Sequence, residues 1–148
     1  MKKLGSILVA GALAMLVFAA VSSARSSSGM VHLSATLNAG QEIPKQVVKN
    51  QSAHGAFSAT LSGTHLVWTL TFSKLSGSAT AAHIHLGGMG KAGNVVVPLC
   101  TPCKSPAKGT ATISASLLKT IKKHGTYVNV HTAKNPNGEI RGQLVAKS

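Results

Sequence analysis

The sequence predicts an all-β fold, an antiparallel β-sandwich of Greek-key-like connectivity carrying one short helix. Three observations predict it. Short runs of residues alternate apolar with polar side chains, the period of a strand with one buried face. Turn residues punctuate those runs at Ser62-Gly63, Ser76-Gly77, Gly87-Gly88 and Asn137-Gly138. A single stretch, Ser116 to Lys123, carries helical spacing instead.

The predicted strands are Val31–Asn38, Gly55–Leu61, Leu66–Phe72, Thr80–Leu86, Val95–Leu99, Thr110–Ala115, Thr126–Thr132 and Glu139–Val145. In the third, Leu66, Trp68, Leu70 and Phe72 form the clearest apolar stripe, set against Val67, Thr69 and Thr71. In the fourth, His83 and His85 share one face while Ala82, Ile84 and Leu86 share the other. Val128 and Val130 oppose Asn129 and His131 in the seventh, and Ile140 and Leu144 oppose Glu139, Arg141 and Gln143 in the last. Leu117, Leu118 and Ile121 give the helix an apolar stripe, Lys119, Lys122 and Lys123 suit its negative end, and Gly125 stops it. Asn135-Pro136-Asn137-Gly138 reads as a tight connection that pairs the last two strands and brings His131 near Glu139 and Arg141.

The N-terminus reads as an export signal over residues 1–24. Lys2 and Lys3 precede an apolar run, and Ser22-Ser23-Ala24 supplies the small residues of a cleavage site. An uncleaved anchor is the competing reading, because Leu4 to Val21 approaches the roughly 20 residues that span a bilayer. Residues 25–30 then form a Ser-rich lead-in, and residues 31–148 the single domain. A chain carrying +13 formal charge, with Glu42 and Glu139 as its whole supply of carboxylates, is drawn to polyanions such as acidic polysaccharide or envelope polymers. Specific nucleic-acid recognition is excluded, since aromatics make up 3% of the chain and supply no stacking platform.

Three motifs recur in a fixed order: Leu37-Asn38-Ala39-Gly40-Gln41-Glu42-Ile43-Pro44, then Ala82-His83-Ile84-His85-Leu86-Gly87, then Tyr127-Val128-Asn129-Val130-His131-Thr132 closing on Gly138-Glu139-Ile140-Arg141-Gly142-Gln143-Leu144. In this the chain resembles the CHRD (chordin-type) domain in its stand-alone, secreted microbial form, from about Leu33 to Val145. The chain departs from that pattern at Lys45-Gln46, where a second proline and an apolar residue are usual. The resemblance implies an all-β, extracytoplasmic domain and brings no settled biochemical activity.

His83, His85 and His131 are the candidate metal ligands. A His-x-His pair on a strand projects two imidazoles to one side and a neighbouring strand adds a third, a donor set for copper or zinc rather than calcium. The competing reading is a hydrogen-bond network among the same rings. Ligand histidines usually donate their second ring N–H to a carboxylate or carbonyl, and Glu139 is the carboxylate placed to serve. Ligation requires neutral imidazole, so affinity is expected to weaken below about pH 6.5. Cys100 and Cys103 read as a local disulfide pinning a loop, with a redox-active pair or a zinc site as alternatives. Glu42, Glu139 and Arg141 are bracing residues first, the last two as a pair on one strand face, and ligand contacts second.

Enzymatic readings fail for want of parts. Paired carboxylates are lacking, no Gly-x-Ser-x-Gly elbow occurs, and Gly87 to Gly93 lacks the residues of a phosphate loop. The superoxide dismutase analogy also stays loose, because His32, His54, His65 and His124 are scattered. Asn50-Gln51-Ser52 fits a glycosylation acceptor. The chain therefore reads as a non-enzymatic binding module at the cell exterior with an unknown ligand. Its alternatives are a three-histidine copper or zinc protein, with redox activity as an extension, and a cationic adhesin for acidic polymers.

Overall fold

A computed structural model describes residues 29–147. The predicted signal, residues 1–24, and residues 25–28 of the lead-in lie outside the described residues. Among the described residues no helix is long and apolar enough to cross a membrane.

The described residues form nine strands: β1 Val31–Asn38, β2 His54–Ser62, β3 His65–Ser73, β4 Ala79–Leu86, β5 Val95–Cys100, β6 Ala107–Thr112, β7 Thr126–Thr132, β8 Ile140–Gln143 and β9 Val145–Lys147. The helix α1 spans Ala115–Lys122, and one 3-10 turn covers Ala39–Gln41. The strands join antiparallel in the order β5-β4-β7-β8-β1-β2-β3-β6, with β9 on β1. Strands β5 and β6, at the two ends of that order, touch, so the sheet curls into a nearly closed, barrel-like shell. The all-β antiparallel architecture with one short helix therefore stands.

Alternation explains the core. Val31, Leu33, Ala35 and Leu37 on β1 meet Phe57, Ala59 and Leu61 on β2 and the Leu66, Trp68, Leu70 stripe on β3. From the other half come Ile84, Val128, Val130, Ile140 and Leu144, each fully buried. Each such aliphatic side chain contributes about 1.5–3 kcal/mol.

Two elements shift from their sequence-based positions. The sixth strand lies at Ala107–Thr112 rather than Thr110–Ala115, because Ser114 caps α1 by accepting from Leu117 N at 3.1 Å and Ala115 is already helical. Its inward residues are small because Trp68 occupies the space. A Cβ at Gly109 would sit 2.6 Å from Trp68 Cζ2. The last predicted strand divides at Leu144: β8 pairs with both β7 and β1, and past the break the chain runs on along β1 as β9.

The two halves of the sheet differ on their outer face. On β1 every second residue is exposed. On β7 all seven are buried. Loops 39–53, 87–94 and 133–139 cover that side, tied down by Val48 N on Asn135 Oδ1 (2.8 Å), Gln46 Nε2 on the Glu139 carbonyl (2.6 Å) and Gln143 Nε2 on the Gly87 carbonyl (3.0 Å). Glu139 gathers this cover. Its carboxylate accepts from Ser76 N and Asn50 Nδ2 on one oxygen, and from Ser76 and Thr132 hydroxyls on the other, at 2.6–2.8 Å. Burial alone would raise that carboxyl, but the donors from Ser76, Thr132 and Asn50 prevail and hold it below its ordinary value. Asn50 Nδ2 also donates to Lys74 O, so both its protons are spent inside the fold. The Asn50-Gln51-Ser52 acceptor is thereby masked.

Candidate metal centre

The β4–β7 pairing sets His83 opposite Asn129, His85 opposite Tyr127 and Ala81 opposite His131. Because side chains alternate, the three imidazoles leave the same outer face, away from Ile84, Val128 and Val130. One potential ligand atom from each lies within 4.8 Å of the others. The ring centroids stand 5.0 Å apart for His83–His131, 5.5 Å for His83–His85 and 6.0 Å for His85–His131.

Hydrogen bonds fix which nitrogens keep a lone pair. His131 Nδ1 lies 2.9 Å from the Pro136 carbonyl, and His85 Nδ1 lies 2.9 Å from the Gly93 carbonyl. A carbonyl only accepts, so in each ring Nδ1 carries the proton and the neutral Nε2 keeps a lone pair. His131 Nε2 meets His83 Nδ1 at 3.1 Å. His85 Nε2 is buried with no partner. Burial and the neighbouring His131 and His85 pull His83 down to about 4, and burial also lowers His131 despite the Pro136 acceptor. The expected loss of ligating form near pH 6.5 therefore moves lower for these two rings.

The acceptors come from loops that the sequence shapes locally. The 133–139 turn is closed by Asn135 N on Thr132 O (3.1 Å) and Gly138 N on Asn135 O (3.0 Å), which aims the Pro136 carbonyl at His131. The 87–94 loop is closed by Leu86 N on Asn94 O (2.9 Å) and Gly87 N on Gly125 O (2.9 Å). Backbone carbonyls thus fill the role that sequence reasoning gave to Glu139, whose carboxylate is committed to Ser76, Thr132 and Asn50.

Arg141 is almost wholly buried. Its Nη2 donates to Gly88 O (3.0 Å) and Lys91 O (2.9 Å), and its guanidinium carbon lies 3.5 Å from the centre of the Tyr127 ring. Tyr127 in turn stacks on His85, with centroids 4.9 Å apart and planes 13° from parallel. A guanidinium–phenol–imidazole column therefore runs across β8, β7 and β4. Glu139 and Arg141 share a strand face, yet their side chains bind different partners.

Glu42 is fully buried, and neither carboxylate oxygen has a hydrogen-bond partner. It lies against Gly138, which adopts φ +133°, and a Cβ there would fall 2.5 Å from both oxygens. Burial pushes Glu42 up to about 8, against the pull of Arg141. Cys100 and Cys103 are disulfide-bonded, and Cys103 N donates to Ala79 O (3.2 Å), which pins this loop to the start of β4. His54 binds Ser52 O and Ser73 Oγ, and His32, His65 and His124 lie outside the cluster.

Sequence reasoning missed Tyr127 and the Gly93 and Pro136 carbonyls. Tyr127 sits on the His131 face of the same strand, so its alternation was a usable signal. The carbonyls left none. The family model described as the CHRD domain matches residues 33–144 of the chain. No curated protein and no solved structure matches it.

Proposed function

This chain belongs to the CHRD domain family, and on that premise we propose a non-enzymatic, extracytoplasmic binding module whose ligand is one transition-metal ion, copper or zinc, held by His83, His85 and His131. One observation carries the reading. Two of the three imidazoles are already oriented by backbone carbonyls at Nδ1, which leaves Nε2 as the nitrogen with a lone pair, and His85 Nε2 is buried without a partner. A buried acceptor left unpaired costs about 1–3 kcal/mol, a cost that a metal bond at that nitrogen removes. Imidazole donors suit copper and zinc, and no oxygen-rich cage for calcium accompanies them.

The test is metal uptake by the mature chain purified without an affinity tag, equilibrated with copper or zinc and dialysed. One ion per chain is expected. His85→Ala and His131→Ala should each weaken retention at least about tenfold, since losing a ligand costs no less than losing the group that orients it. His32→Ala and His124→Ala should retain it. Equal uptake by wild type and the His83/His85/His131→Ala triple variant, with folding checked by circular dichroism, refutes the assignment.

A further inference from the structure

We propose that this three-histidine site selects monovalent copper over divalent copper and zinc. The inference rests on the metal-binding reading above and concerns the charge the site tolerates.

The first observation is the absence of compensating negative charge. All three donors are imidazoles. Of the two side-chain carboxylates of the chain, Glu139 is saturated by Ser76, Thr132 and Asn50, and Glu42 is buried against Gly138. Bringing an ion into a low-dielectric site costs free energy that rises with the square of its charge, so a divalent ion with neutral ligands carries about four times the penalty of a monovalent one.

The second observation is a fixed positive charge one aromatic ring away. Arg141 stacks on Tyr127 at 3.5 Å, and Tyr127 stacks on His85 at 4.9 Å. The guanidinium is held there by Gly88 O and Lys91 O, and it cannot lose its charge in the physiological range. Its field opposes each positive charge added at the His85 nitrogen, and opposes two more strongly than one.

The third observation is coordination number. The cluster supplies three side-chain donors, and His83 and His131 are already brought within 3.1 Å of each other. Three soft-to-borderline nitrogen donors without an anionic fourth complete the sphere of monovalent copper. Divalent copper prefers a tetragonal set and zinc a tetrahedral one, so each must draw a further ligand from solvent at the half-buried His83, whereas monovalent copper needs none.

The experiment compares affinities in the full mature chain. Monovalent copper is titrated anaerobically against the chromogenic chelator bicinchoninate. Divalent copper and zinc are titrated against nitrilotriacetate. We expect monovalent copper to bind at least about a thousandfold more tightly than divalent copper. Arg141→Gln should narrow that ratio by about five- to tenfold, and Arg141→Lys, which keeps the charge, should narrow it less. Divalent copper or zinc binding as tightly as monovalent copper would overturn the proposal and leave the metal reading standing. No uptake of any ion, or uptake unchanged in the triple histidine variant, would overturn both. An unchanged ratio in a folded Arg141→Gln chain would remove Arg141 from the account.

Discussion

Replacing Glu42 by Gln should abolish a pH dependence of stability that the wild type carries above neutrality. With the Glu42 carboxyl raised from 4.5 to about 8 in the folded state, the native chain holds a proton that the unfolded chain releases. A group raised in this way contributes stability that is fully present below its unfolded value and is lost as pH rises through its folded value. Between about pH 6.5 and 9 this amounts to a loss of about 2 kcal/mol. His83 and His131 shift the other way, so their contribution is lost as pH falls through about 6.5; across this window each adds at most about 0.4 kcal/mol as pH rises, equally in both proteins, and so cancels from the comparison. Urea unfolding with chelator present, read from the fluorescence of Trp68, the one tryptophan of the chain, gives the free energy by linear extrapolation. Glu42→Gln keeps the shape of the neutral acid and should lack this decline, so the variant gains stability relative to wild type with rising pH. Parallel profiles for the two proteins across pH 6.5–9 would refute the reasoning.

The Glu139 carboxylate should matter in the opposite sense: Glu139→Gln sets an amide against four donors and should cost about 2–4 kcal/mol at neutral pH. Because the folded Glu139 carboxyl lies below its ordinary value, its contribution is present above the carboxylate range and is lost as wild type is acidified, so the gap between the two proteins should close at low pH in the same unfolding assay. If residues 1–24 are an export signal, mass spectrometry of protein from the outer fraction should find a chain beginning at Arg25, and full-length chain confined to the cytosol would contradict this.

Side-chain period made much of this molecule legible. β1 and β7 occupy the residues that alternation assigned, because Val31, Leu33 and Leu37 on the one and Val128 and Val130 on the other fall on alternate positions of the inner face. β6 was displaced because its inner face is Ala107, Gly109 and Ala111, whose small side chains carry little hydrophobic signal while Trp68 fills the volume from across the sheet. The break at Leu144 was hidden for another reason: alternation runs on unbroken while pairing with β7 ends and pairing with β1 continues, and a partner is a property of the fold rather than of the run. The three imidazoles followed from period two and from pairing of neighbouring strands. Their acceptors did not, since a carbonyl's direction depends on loop closure and has no residue-type signature. Glu42 was invisible as a buried acid because its neighbour, Gly138, is remote in sequence and matters by lacking a side chain.

The double covering of β7 changes what this strand can absorb over time. β1, β2 and β3 each keep a wet side, where substitutions alter little beyond solubility, but Thr126 to Thr132 has none. Locally the protein is three layers deep: core, strand and loop cover. A change at an even-numbered position disturbs the interior, and one at an odd-numbered position disturbs the polar layer around the imidazoles. The segment therefore combines the intolerance of a core with that of a binding site, and drift must find its room in the outer faces of β1 to β3.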